Sequence, residues 1–339
     1  MKILITGAAG FIGSQLAYSL WKKGHELCLI DNFSYGRKDN LIFSDHDFTN
    51  EVIEMDVRDR DGIAALLKNG DVKYVYNIAG IAPLPDCQVN PQEAIDVNVI
   101  GLVNVLENAR QYGVQKVIQA STNAIYENET TFPTKESNFQ LPTLIYPNTK
   151  YVAERFAESY CKTYGMNVTC LRFANVYGPH IDCLRKQPPL VGYMIRELFY
   201  DREPVFHSDG NQRRDYVYVD DLIRLAILVQ STEGFDCVNV SANENYSVND
   251  MYRIACEITG KQISAKYADD KHYWEKYPEL YKGEYKIKDD ILAHEINKFT
   301  LCDNQYAFQK YGWKPEVSIR EGLKRVIEYE FQLLENMER

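Results

Sequence analysis

The stretch that most constrains this chain is Lys2-Ile3-Leu4-Ile5-Thr6 running into Gly7-Ala8-Ala9-Gly10-Phe11-Ile12-Gly13. A short apolar strand turns on glycine directly into an amphipathic segment, Ile12–Lys23, as at the opening of a βαβ unit. Glycines at 7, 10 and 13 permit a tight turn, close approach of backbone to a phosphate, and close helix–strand packing. The free N–H groups at the helix start then face an anion. Further apolar runs follow at Glu26–Asp31, Glu51–Met55, Val72–Ile78, Lys116–Ala120 and Val168–Phe173. Helical stretches, notably Pro91–Tyr112 and Pro147–Tyr164, fit between them. Strands alternating with helices predict an α/β fold: a doubly wound parallel sheet with its ligand beyond the carboxyl ends of the strands.

The rhythm breaks after Tyr177-Gly178-Pro179. Residues 1–178 are expected to form a dinucleotide-binding Rossmann domain, to which 216–240 return. Residues 179–215 and 241–339 are expected to form a smaller, partly discontinuous substrate-binding domain. The segments Tyr216–Gln230 and Cys237–Val240 are expected back in the main sheet, and Ser318-Ile319-Arg320-Glu321 reads as a capping box opening a closing helix. Two helices carry more apolar residues than one-sided burial needs. One contains Ile95, Val97, Val99, Ile100, Leu102, Val103, Val105 and Leu106; the other contains Val152, Phe156, Tyr160 and Tyr164. A homodimer would cover the surplus, and two-sided burial in a monomer is the alternative.

The formal net charge of −10, with no Lys/Arg-rich block, argues against nucleic acid as a partner. An anionic ligand needs local donors instead. No apolar run approaches the ~20 residues that cross a bilayer, so no membrane association is expected. The start carries no basic stretch followed by a long apolar one, and the eight cysteines are scattered without a C-x-x-C pair. A cytoplasmic protein with reduced thiols and no metal site is expected.

Asp31 ends the second strand 18 residues after Gly13, where an acid can bind the adenosine ribose hydroxyls. A 2′-phosphate would meet that carboxylate, so NAD is expected rather than NADP; Arg37 and Lys38 are the only counterweight nearby. Asp56 is a candidate for the adenine amino group, or else a solvated strand-end acid. Ile78-Ala79-Gly80 keeps the fourth strand's end small, as a cofactor lying across it requires, and Asn98, polar within a very apolar helix, reads either as a satisfied buried amide or as a brace for the active site. Downstream, Pro147 sets Tyr146 at a helix start with Lys150 one turn inside. A tyrosine of pKa ≈ 10 is a poor base until a nearby ammonium and a positive nicotinamide favour its phenolate. A hydroxyl at the end of the fifth strand, in Ala120-Ser121-Thr122-Asn123, can hydrogen-bond a substrate oxygen as it changes from alcohol to ketone.

Together, T-G-x-x-G-x-x-G, S-T-x-x-x-Y, Y-x-x-x-K, L-R-F-A-N-V-Y-G-P and R-D-Y-V-Y-V-D-D resemble the extended short-chain dehydrogenases/reductases. More narrowly, they resemble the NAD-dependent sugar-nucleotide epimerase/dehydratase family, in the manner of UDP-glucose 4-epimerase. The resemblance implies a catalytic triad of Thr122, Tyr146 and Lys150. It implies NAD contacts from Gly7, Gly10, Phe11, Ile12, Gly13, Asp31, Asn32, Asp56, Val57, Ala79 and Lys150. It also implies a nucleotide-sugar substrate held by Thr122, by Asn175 and by a pyrophosphate-binding Arg214.

The departures are specific. Asn123 and Ala124 stand where 4,6-dehydratases place Asp-Glu, and decarboxylating relatives also use a glutamate there, so neither chemistry has its acid. Glu127 replaces a frequent glycine, and the family's late arginine before Gly-Asp is not evident between Lys266 and Thr300. The expected activity is therefore epimerisation at C4 of a hexose through a 4-keto sugar, in a polysaccharide-precursor role. Alternatives are a CDP-sugar-type 2-epimerase, suggested by Ser121-Thr122-Asn123, a nucleotide-sugar 4-dehydrogenase or reductase, and an NAD-binding protein without chemistry.

Overall fold

The computed structural model describes residues 1–138, 140–185 and 188–338. Its centre is a seven-stranded sheet. In chain order the strands are β1 (Lys2–Thr6), β2 (Glu26–Asp31), β3 (Val52–Glu54), β4 (Val72–Asn77), β5 (Lys116–Thr122), β6 (Val168–Phe173) and Phe235–Val240. In space they run Phe235–Val240, β6, β5, β4, β1, β2, β3, and every pairing is parallel. The chain walks outward from β1 to β3 and then restarts at β4 on β1's other side. That reversal makes the crevice between the ends of β1 and β4 the place where a ligand fits.

Helices cover both faces, which is why every residue of β5 and β6 is buried and their sequences barely alternate. On one face, Ile3, Leu16, Leu20, Val217, Leu222 and Leu323 belong to a single apolar cluster that also takes in Leu198 and Val248. On the other, Leu4, Val75, Leu102, Val105, Ala153 and Ala157 form a second. The expected long helix at 91–112 is present as Pro91–Ile95, a π turn at Asp96–Ile100, and Gly101–Gln111. The π turn carries Asn98, which is buried.

Phe235–Val240 lies on the edge of the main sheet, but Tyr216–Tyr218 does not join it. The strand Arg213–Tyr218 instead pairs with Asn175–Tyr177 and Asn245–Ser247 in a separate three-stranded sheet. The next helix, Val219–Leu228, packs against the helix α1 (Phe11–Lys22). β6 is already flanked by β5 and Phe235–Val240, leaving Arg213–Tyr218 no partner there. Of the capping box at Ser318, the bond from the Glu321 amide to the Ser318 hydroxyl is present at 3.3 Å, opening the helix Ile319–Glu338. Residues 270–297, in a stretch dense in Lys, Tyr and Asp, fold into short helices around Trp274, Tyr277, Leu280 and Leu292.

Candidate active site

The glycine turn is sterically obligatory. Gly7 has φ +69°, and a Cβ there would meet the Ala79 nitrogen at 2.8 Å; on Gly13 it would meet the Gly7 oxygen at 2.0 Å. The Gly10 position is nearly as tight, 3.2 Å from the same oxygen. Phe11 and Ile12 then open α1, where the first amides have no intrahelical acceptor. This cradle of bare backbone at a helix start, facing the β1–β4 crevice, suits the pyrophosphate of a dinucleotide.

Asp31 ends β2 and is buried. Its carboxylate accepts from the Ala9 amide at 2.8 Å and the Phe33 amide at 2.7 Å, and a Cβ on Gly36 would lie 2.6 Å away. Burial pushes its pKa up, and the Phe33, Ala9 and Gly10 amides oppose that shift. Asp31 thus joins the glycine turn to the β2 loop at the position suited to ribose hydroxyls. Asp56 is gripped by Arg58, through both Nε (2.9 Å) and a terminal nitrogen (2.7 Å), and receives the Asn32 amide at 2.7 Å. The Arg58 hydrogen bonds hold its pKa down to about 2. Val57 beside it is buried against Gly101, where a Cβ would come within 2.7 Å. Arg37 is engaged by Asp39 at 2.7 Å, and Lys38 lies over the Phe33 ring. No sign of a 2′-phosphate pocket arises from these two.

The helix Ile145–Tyr164, which carries Tyr146 and Lys150, docks its first turns onto the end of β5. The Thr122 hydroxyl lies against the Tyr146 phenol, whose pKa burial pushes up to about 12 while Thr122 pulls it down. Thr122 also accepts the Ala124 amide at 3.1 Å, fixing the turn Asn123–Tyr126. Lys150 is buried, donates to the Ala120 carbonyl at 3.3 Å, and is pushed down to about 8 by that burial. A Cβ on Gly80 would stand 2.9 Å from both the Lys150 Nζ and the Asn98 Oδ1. Only glycine lets the chain after β4 lie this close to the amine. Asn98 ties the two sides together. It accepts from the Ile81 amide (2.9 Å) and donates to the Ile81 carbonyl (3.0 Å) and the Thr149 hydroxyl (3.0 Å). Thr149 in turn donates to the Tyr146 carbonyl at 2.7 Å.

Asn175 and Arg214 lie apart from this cluster, in a cleft of about 330 Å³ that also includes Leu84, Leu190, Tyr216 and Tyr273. A second cleft of about 540 Å³ shares Leu84, Leu190, His207, Gln212 and Tyr273 with it and reaches back to Ala82 and Pro83, just after Gly80. Asn175 donates to the Asp215 carbonyl at 3.0 Å. The Arg214 guanidinium donates to the carbonyls of Glu295 (3.1 Å) and Ile296 (3.0 Å), while burial pulls its pKa down.

Three residues that hold the approach to the helix Ile145–Tyr164 had no assigned role from sequence. Gln88 accepts the Ile145 amide at 3.1 Å, and Glu127 accepts the Leu144 amide at 3.0 Å and the Thr143 amide as well. Asn128 donates to the Leu141 carbonyl at 2.8 Å. Only Glu127 carried a signal, as a charged residue where a glycine is frequent.

A family model described as the NAD dependent epimerase/dehydratase family matches residues 3–241. The UDP-glucose 4-epimerase of Mycolicibacterium smegmatis is 28% identical, over 97% of this chain and 98% of its own length. The crystal structure of the UDP-glucose 4-epimerase of Thermotoga maritima with UDP-glucose is 30% identical, with a TM-score of 0.86 over 98% of this chain and 100% of that one. The UDP-glucuronic acid 4-epimerase of Bacillus cereus, in complex with UDP-glucuronic acid and NAD, is 26% identical with a TM-score of 0.81, covering 98% and 100%.

Proposed function

The chain belongs to the NAD dependent epimerase/dehydratase family, and from that premise we propose that it epimerises a nucleotide-activated hexose at C4. The Gly7–Gly13 cradle, Asp31, Asn32, Asp56, Val57, Ala79 and Lys150 would hold the cofactor, with the Asp31 carboxylate toward its adenosine ribose. NAD bound there supplies a hydride acceptor and donor at the sugar carbon. Tyr146 takes the proton of the C4 hydroxyl and later returns it. Thr122 hydrogen-bonds the same oxygen through its change from alcohol to ketone. Lys150, against Gly80 and one turn from Tyr146, lowers the cost of the phenolate that burial otherwise opposes. Asn175 and Arg214 hold the diphosphate, about which the keto sugar turns its other face inward.

The observation carrying this reading is the Tyr146 phenol against the Thr122 hydroxyl, with the Lys150 amine held within 2.9 Å of a Gly80 Cβ position. Asn123 and Ala124 leave no acid for dehydration or decarboxylation, which favours simple epimerisation. The UDP-sugars bound in two of the similar structures favour uridine. A panel of UDP-, GDP-, CDP- and dTDP-hexoses, read by product NMR, tests the proposal: one should yield its C4 epimer without free NADH. Tyr146→Phe should lower turnover at least about 10³-fold with NAD still bound. Full activity in that variant, a C2 epimer, or accumulating NADH would refute it.

The surplus apolar surface fits a homodimer. Ile100, Val152, Phe156 and Tyr164 are each about two-fifths exposed or more, on the two neighbouring helices Gly101–Gln111 with its preceding turn and Ile145–Tyr164. Eight unpaired cysteines support a reducing, cytoplasmic location.

A further inference from the structure

We infer that Glu127 is a positioning residue for this reaction: it fixes the approach to the catalytic helix and links it to the segment that anchors Arg214. The inference rests on Tyr146 being the proton-transfer group. Glu127 follows directly on the turn Asn123–Tyr126, which Thr122 caps, and is only 7% exposed. Its Oε1 accepts the amides of Thr143 and Leu144, the latter at 3.0 Å. Leu144 is the extended residue that precedes the catalytic helix, and Tyr146 stands two residues beyond it.

The amides of residues 143 to 145 lie at or before the first helical turn and find no acceptor within the helix. Two go to Glu127 and the third to Gln88. Neighbouring Asn128 grips the same segment by the Leu141 carbonyl and the Thr143 hydroxyl, at 2.8 and 3.1 Å. The direction in which the chain delivers Tyr146 is thus set by side chains from outside its own helix. A buried carboxylate accepting two amides is a strong, directional tie. A glycine at position 127 would offer none.

The other end of Glu127 faces the substrate side. Its backbone carbonyl accepts from the His294 Nε2–H at 2.9 Å, which assigns the proton to that nitrogen. His294 sits on the helix Asp289–Asn297, whose Glu295 and Ile296 carbonyls hold Arg214. Hydrogen bonds and a few covalent links therefore run from the diphosphate-binding guanidinium to the loop that aims the phenol.

The test compares Glu127→Ala, Glu127→Asp, Glu127→Gln and Tyr146→Phe in the NAD-loaded enzyme. UDP-glucose, or the hexose the panel identifies, serves as substrate, and UDP as binding probe. Glu127→Ala should lose at least tenfold in kcat, with KM, UDP affinity and bound NAD within twofold. Glu127→Asp keeps the charge but draws the oxygen back by one methylene, and should lose comparably. Glu127→Gln retains an oxygen that accepts both amides and should recover kcat to within threefold. The Asp–Gln pair decides the matter even if the alanine variant does not fold. Wild-type kcat in Glu127→Asp beside an inactive Tyr146→Phe overturns the inference, as does a Gln variant no better than Asp. Turnover retained in Tyr146→Phe overturns instead the reading on which it stands.

Discussion

At the residue scale the site depends on opposing effects at Tyr146 and Lys150. Burial raises the phenol to about 12 and lowers the amine to about 8, so each favours its neutral form. Thr122 pulls the phenol down, and in the proposed reaction the Lys150 ammonium and a cationic ring would favour the phenolate further. In Lys150→Met the phenolate must be drawn from bulk hydroxide alone. Activity should drop about 10²-fold near pH 7 and climb about tenfold per pH unit toward pH 9. The parent enzyme should instead level off above about pH 8, where Lys150 loses its proton. A flat pH profile in the variant would contradict this. Gly80→Ala is a second probe, because its methyl would sit 2.9 Å from the amine. We expect at least about tenfold lower kcat with the fold intact by circular dichroism. The placement of Tyr146 and Lys150 at the start of one helix, and of the glycines in the turn after β1, was legible in sequence because spacing encodes it. Gly80's need to be glycine, and the capping roles of Gln88 and Glu127, were not: they depend on neighbours 16 to 70 positions away.

At the element scale, the helix Ile145–Tyr164 and β5 meet through matched positions. Tyr146 lies by Thr122, Lys150 bonds the Ala120 carbonyl, and Glu154 accepts the Ser121 hydroxyl at 2.6 Å. Glu154 also takes Arg172 of β6 in a buried pair, at 3.0 and 2.7 Å. Arg172 passes the contact on to the Tyr126 hydroxyl, which donates to Asn239 at 2.8 Å. Removing one partner strands the other charge in the core. Glu154→Ala should therefore cost about 3–5 kcal/mol in urea unfolding, and the double variant with Arg172→Met should recover much of it. A loss under 1 kcal/mol would show the pair to be solvated. The strands and helices of the first half were readable because apolar runs of strand length alternate with longer amphipathic ones. The strand Arg213–Tyr218 was misplaced from sequence because its burial resembles a sheet-centre strand. Its actual partners, Asn175–Tyr177 and Asn245–Ser247, are three-residue strands too short to announce themselves.

For the whole molecule, the parallel order placing β4 beside β1 gathers the glycine turn, Tyr146 with Thr122 and Lys150, and the cleft of Asn175 and Arg214, which the proposed reaction would use as cofactor cradle, proton-transfer group and diphosphate site. The helices that carry Tyr146 and Asn98 also expose Ile100, Val152, Phe156 and Tyr164, so a second subunit seated there would buttress the Tyr146 helix from behind. Phe156→Glu should convert a dimer to monomer in sedimentation velocity; an unchanged sedimentation coefficient would show that this face is not the interface. The region 270–297 was the least legible part. Its small core of Trp274, Tyr277, Leu280 and Leu292 has no periodicity long enough to set it apart from a loop. In the proposed reaction, hydrogen leaves the sugar carbon and returns to that same carbon from within the site. NMR of the product from a nucleotide hexose deuterated at C4, turned over in ordinary water, tests it most directly. The epimer should form with its deuterium kept at C4. An epimer whose deuterium has been replaced by solvent hydrogen would contradict the account.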